Sequence, residues 1–200
     1  MMDVTAIIQA RMGASRLPGK VLLPMGERSV LGRVIHRVAS CERISRVVVA
    51  TSDRALDDAV EVEATKQGAK VFRGSEEDVL ARFHGTLETF GGAWIVRVTA
   101  DCPLLDGGLL CAMLTELEQR LHRGESVHYL SNTQTRTYPR GLDAEIVSAD
   151  ALRQAHSETS DLFDRVHVTP YFYRNPERFH RISYDGLADK SSHRWTLDAE

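Results

Sequence analysis

An α/β fold built on parallel strands is predicted by three features of this sequence. Short apolar, β-branched runs alternate with segments of helical period through the first half of the chain. One run, Val47-Val48-Val49, is apolar at consecutive positions, as in a strand covered on both faces. The 200 residues, 42% hydrophobic and 26% charged, suffice for one domain with a sizeable core.

The elements follow in order. Val4 to Gln9 is short, apolar and strand-like. Ser29 can cap a helix whose apolar residues, Val30, Leu31, Val34, Ile35 and Val38, recur with helical period. A buried strand is expected over Arg46 to Ala50, then a helix capped by Asp53 with Leu56, Ala59 and Val60 inward. Lys70 to Arg73 reads as a strand. A helix from about Glu77 carries Val79, Leu80, Phe83 and Leu87 on one face. Trp94 to Thr99 is a further strand, and Asp106 or Gly107 opens a helix to about His122. Repeated β-α units call for right-handed crossovers between parallel strands. In the second half, strands are expected over Ser126–Asn132, Leu142–Ser148, Phe179–Tyr184 and Arg194–Leu197. Ser148 or Asp150 can cap a short helix, and Pro170 interrupts the partly helical stretch Leu162 to Tyr173.

Composition narrows the function classes. The net charge is −3, with 25 Lys plus Arg against 28 Asp plus Glu, which argues against a nucleic-acid partner. The longest apolar run, Leu109 to Leu114, is far below the roughly 20 residues that span a bilayer, so no membrane partner is expected. Asp3 stands where a signal peptide carries basic residues. Cys41, Cys102 and Cys111 form no paired spacing, so reduced thiols and a cytoplasmic location are expected.

In parallel sheets ligands bind beyond the carboxyl ends of the strands, so the segments after Gln9, Ala50, Arg73 and Thr99 are the places to search. Gln9 to Lys20 holds Arg11, Arg16 and Lys20 and no acid, with Gly13 and Gly19 for tight turning. Such a loop cradles phosphates or is a solvated basic turn. Neither a Walker A loop nor a G-x-G-x-x-G fingerprint is present. Asp101, after the Trp94 strand, could hold a phosphate-bound divalent cation or cap the next helix. Asp198, beyond Trp195-Thr196-Leu197, has significance only if it meets Asp101 in space. In Gly74-Ser75-Glu76-Glu77, capping by Ser75 or Glu76 is the simpler role, and contact with a base or ribose the other. Arg140, Asp143 and Glu145 could bind a polyhydroxylated substrate, although a turn before a half-exposed strand explains them more simply. His167 reads as a core residue, and no zinc spacing or G-x-S-x-G elbow appears.

Taken together, Ile8 to Lys20, Gly74 to Phe83, Arg97 to Leu105, Ser131 to Glu145, His167 to Phe179 and Trp195 to Asp198 resemble, in order, the cytidylyltransferases that activate acidic sugars. The likeness is to synthetases of CMP-Kdo and CMP-sialic acids, and most to the branch typified by spore coat polysaccharide biosynthesis protein F. It implies a Rossmann-like nucleotide-diphospho-sugar transferase fold, a three-layer α/β/α sandwich with a mostly parallel sheet. One domain over 1–200 is expected, with a nucleotide-binding half at 1–125 and a sugar-binding and dimerisation half at 126–200. The implied reaction joins CTP and a sugar into a CMP-sugar with release of pyrophosphate, in a homodimer that uses Mg2+. By the same resemblance Ala10, Arg11, Gly13, Ser15, Arg16, Lys20, Gly74 and Ser75 would bind the nucleotide. Arg11, Lys20 and Asp101 would be catalytic, Asp101 and Asp198 would hold the metal, and Arg140, Asp143 and Glu145 would face the sugar. Two departures stand out. Val166 replaces the Glu of the family's Arg-Glu-His-Val-Thr, and the chain stops at Glu200 where the family continues, as in a truncated or shortened member. The alternatives are an enzyme using another nucleotide and an inactive nucleotide-binding homologue.

Overall fold

In the computed structural model, which describes residues 2–14 and 16–197, the pleat of the first strand sets the layers. Strand β1 (Val4–Gln9) sends Val4, Ala6 and Ile8 into one core and Ile7 into another. The hairpin β2 (Pro24–Met25) and β3 (Arg28–Ser29) leads into α1 (Val30–Ala39). Next come β4 (Arg46–Ser52), α2 (Asp58–Lys66), β5 (Lys70–Gly74), α3 (Val79–Phe90), β6 (Trp94–Thr99) and α4 (Gly107–His122). The second half supplies β7 (Tyr129–Ser131), β8 (Glu145–Ser148), α5 (Ala149–Glu158), α6 (Leu162–His167), α7 (Pro170–Arg174) and β9 (Arg181–Ser183). Helices α1, α2 and α4 pack in the first core, and α3, α5 and α7 in the second, so the sheet is the middle of three layers.

The main sheet has seven strands in the order β5-β4-β1-β6-β8-β7-β9. Pairings β5–β4, β4–β1, β1–β6 and β7–β9 are parallel; β8 runs antiparallel to β6 and β7. From β1 the chain builds outward through β4 and β5, then returns to place β6 on the other flank of β1. The order therefore reverses between β1 and β6, and Gln9 pairs with Thr99 at that point. The loops after Gln9 and Thr99 leave the sheet side by side.

Caps place the helices as the sequence predicts at Ser29, Asp106 and Ser148, whose side chains accept from Gly32, Gly108 and Ala151 N–H. Elsewhere the structure corrects the expectation. Asp78, not Ser75 or Glu76, caps α3, accepting from Ala81 N–H. A 3₁₀ turn, Ala55–Asp57, precedes α2 and rotates it, so Leu56 and Ala59 are exposed while Val60 and Ala64 are buried. Asp53 caps nothing. The second-half strands are shorter than predicted because loops claim their ends, and Arg194–Leu197 forms only a bridge from Arg194 to Arg140. The helical stretch breaks before Pro170, at Val168, whose φ of 72° is a left-handed turn in a β-branched residue. Cys41, just past α1, and Cys111, in α4, are joined by a disulfide across 70 residues, which overturns the expectation of three reduced thiols. Linear spacing cannot reveal that α1 and α4 lie together in one layer. Cys102 is the free cysteine among the described residues, and burial pushes its thiol up to about 12, so it is neutral at physiological pH.

Candidate active site

The strand order creates the site. A cavity of about 230 Å³ opens where β1 and β6 end, bounded by Ala10, Arg11, Arg16 and Lys20 on one side and Thr99 to Asp101 on the other. Lys20 Nζ and Asp101 Oδ2 meet across it at 2.9 Å. The loop reaches Lys20 through Gly19, whose φ of 73° opens a single 3₁₀ turn over Lys20–Leu22. Gly13 has no positive φ and a Cβ there would find room, so the turning expected of it belongs to Gly19. Arg11 is exposed and lies 3.7 Å from Glu76, which also accepts from Arg54 Nε at 3.0 Å. Arg16 is exposed at the cavity rim.

Burial would raise the Asp101 pKa, but hydrogen bonds from Lys20 and Thr99 outweigh it and hold the carboxyl below the usual carboxylate range. Its backbone carbonyl accepts from Leu197 N–H at 2.8 Å, bringing the C-terminal stretch alongside. That approach depends on Gly141, where a Cβ would stand 2.6 Å from the Trp195 carbonyl carbon. Ser15 and Asp198 lie outside the described residues. One carboxylate among the described residues, beside a cationic cavity, is a donor set that suits a divalent cation taking its other ligands from a bound anion and water.

The loop after β1 has an anchor that sequence reasoning missed. Asp57 is buried, and its carboxylate accepts from Met12 N–H at 2.7 Å, from Ser52 N–H at 3.3 Å and from the Ser52 hydroxyl. The available signal was an acid in the first turn of what reads as α2. Asp57→Ala leaves three donors unpaired. It is expected to cost about 1.5–3 kcal/mol of stability and to raise the KM for nucleotide more than it lowers kcat. Asp57→Asn, which keeps an acceptor, should recover part of both, as denaturant melts and steady-state kinetics will show.

The residues expected to face the sugar divide. Asp143 lines a small cavity of about 200 Å³, where Arg136 grips it in two hydrogen bonds of 2.6 and 3.1 Å. Glu145 lies at the same cavity but is buried, bonded to Arg97 and to the Tyr129 hydroxyl. Arg140 does not line it: the residue is exposed, and its backbone binds His193 and Trp195. Arg136 and Arg97 are the cations the structure supplies instead. A loop position seven residues before Asp143 carried no periodic signal for Arg136.

A larger cavity of about 830 Å³ adjoins the first at Gln9 and Arg11 and runs between the start of α3 and α6. Ser75 lines it; Gly74 does not, and packs instead against Phe72. His167, expected in the core, is exposed on this cavity with its ring 4.4 Å from that of Phe163. Arg82 lines the cavity too, and sequence reasoning passed over it. It falls among Val79, Phe83 and Thr86 on the buried face of α3, and a charge within an apolar stripe was the signal.

A family model described as cytidylyltransferase matches residues 5–194. Spore coat polysaccharide biosynthesis protein SpsF of Bacillus subtilis is 38% identical over 212 residues, covering 96% of this chain and 85% of that protein. A solved cytidylyltransferase from Leptospira borgpetersenii superposes with a TM-score of 0.92 at 37% identity, covering 99% of this chain and 82% of that one. CMP:2-keto-3-deoxy-manno-octonic acid synthetase, solved with CTP, superposes at 0.75 with 16% identity, covering 98% and 93%, a likeness of fold.

Proposed function

The chain belongs to the cytidylyltransferase family, and from that premise we propose that it transfers the cytidylyl group of CTP to a hydroxyl of an acidic sugar. The product is a CMP-sugar for surface or spore coat polysaccharide. The observation that carries this reading is the Lys20–Asp101 pair closing a cationic cavity at the switch point of the sheet. The sugar hydroxyl attacks the α-phosphorus and gives up its proton to solvent, the bond to the β-phosphate breaks, and pyrophosphate leaves. A triphosphate repels an oxygen nucleophile, so cations must offset its charge before attack. Lys20 exchanges Asp101 for phosphate oxygens, Arg11 leaves Glu76 for the same purpose, and Arg16 stands at the rim. Asp101, released from Lys20, is then a carboxylate facing the phosphates. Asp101 would hold magnesium, whose charge would offset that of the phosphates. Asp143, with Arg136, would meet the sugar hydroxyls. The enzyme would work as a homodimer. No helix among the described residues is long and apolar enough to cross a membrane.

Calorimetric titration with CTP, UTP and ATP tests the nucleotide assignment. CTP should bind tightest, with phosphate-dependent heat lost for cytidine. Equal affinity for all three would remove CTP as the substrate.

A further inference from the structure

A further cavity, of about 440 Å³, lies beyond the one that holds Asp143, and Thr133 and Arg136 line both. Gln134, Tyr173 and Arg181 complete its wall. The cavity of Asp143 in turn meets that of Lys20 at Thr99. The three cavities therefore run on from one another, with Asp101 at one end and Arg181 at the other.

The cations beyond Thr99 are not equivalent. Arg97 is paired with Glu145, and Arg136 is spent on Asp143 in its two hydrogen bonds. Arg181 forms no ion pair among the described residues. Its Nη1 donates to the Tyr173 carbonyl at 3.0 Å and lies 3.5 Å from Gln134 Oε1, so the guanidinium is held in the cavity wall with its charge unmatched by an acid. Burial, and then the charge of Glu145, raise the Tyr173 pKa, so that hydroxyl keeps its proton and can donate. A fixed guanidinium beside a phenol suits a carboxylate.

The sheet sets how far this cation stands from the reacting end. Arg97 pairs with Glu145, Glu145 with Ser131 and Ser131 with Ser183. Arg181, two residues before Ser183, is therefore on the same face as Arg97. Strand β9 is three strands from β6, roughly 14–15 Å at the usual strand spacing. With a hydroxyl beside Thr99, an acid group on the same carbon falls short of Arg181. An acid group across the sugar ring comes within reach of the long arginine side chain.

We infer that Arg181 is a specificity-determining residue that binds the acceptor's carboxylate, on the side of the sugar ring away from the attacking hydroxyl. The acceptor is then of the uronic acid class, which bears the two groups at opposite ends of the ring. A ulosonic acid such as Kdo bears both on one carbon. The inference rests on the proposed cytidylyl transfer, which sets the hydroxyl beside Thr99.

The test is NMR titration of the wild-type chain with magnesium and the α,β-methylene analogue of CTP, which cannot release pyrophosphate. D-Glucuronate should bind roughly 10–100-fold more tightly than D-glucose, the worth of one charged hydrogen bond, and more tightly than Kdo. Arg181→Gln, with an unchanged melting temperature, should bring the preference over glucose to within about threefold, and Arg181→Lys should keep part of it. Kdo bound more tightly than glucuronate would overturn the inference. So would equal affinity for glucuronate and glucose, no binding of any of the three, or a full preference retained in Arg181→Gln. The wild-type comparisons decide the matter even if the variants do not fold. Failure of the CTP analogue itself to bind would instead overturn the phosphate-site assignment, and this inference with it.

Discussion

Replacing Asp101 with asparagine should lower kcat for cytidylyl transfer roughly 10²–10³-fold, the cost of removing one preorganised charge from a transition state. The substitution keeps size and shape and removes a charge at the end of β6, where Asp101 faces the cationic cavity. Its backbone contact with Leu197 N–H is untouched, so the local fold should persist. The loss should fall on kcat more than on the KM for CTP, because Lys20 and the loop still bind phosphate. It should also come with a weakened dependence on magnesium. Pyrophosphate-release kinetics over a magnesium titration, beside a thermal melt, will check both parts. Activity retained at the same magnesium optimum would take Asp101 out of the metal site.

Lys20→Ala should weaken CTP binding by about 1.5–3 kcal/mol, or about 10–150-fold, the range for a hydrogen bond to a charged group. Calorimetry reads this directly. The change also frees Asp101. With Lys20 in place the folded carboxyl sits below its ordinary pKa, so the pair contributes stability at neutral pH that is lost as pH falls through that depressed value. In Lys20→Ala, burial is left opposed by fewer partners, and the Asp101 pKa should rise. Carboxyl titration by NMR should show the shift upward. An Asp101 pKa that stayed depressed would mean that Thr99 and the backbone, rather than Lys20, hold it.

These two residues were legible because a rule of topology links them. Strand ends carry ligands in open α/β sheets, and Lys20 and Asp101 follow the two strands that flank the reversal of order. Segments with a clear period, such as Val30 to Val38 and Val79 to Leu87, were legible as helices for the same local reason. Other features depend on contacts that no period encodes. Asp57 acts on a loop 45 residues away, and Cys41 meets Cys111 across 70. Arg140 and Arg136 are both loop arginines near Asp143. Gly141, at a φ of 105°, turns the backbone so that Arg140 follows the chain end and not the cavity. Glu145 alternates with apolar neighbours as a half-exposed strand would, but Arg97 and Tyr129 on adjacent strands draw its carboxylate inward.

Pyrophosphate release from CTP with magnesium, measured over a panel of acidic sugars, tests cytidylyl transfer most directly. Release in step with formation of a CMP-sugar, abolished by omitting either the sugar or magnesium, is the predicted result. CTP bound tightly with no pyrophosphate released for any acidic sugar would contradict it and leave a nucleotide-binding protein without the transfer reaction.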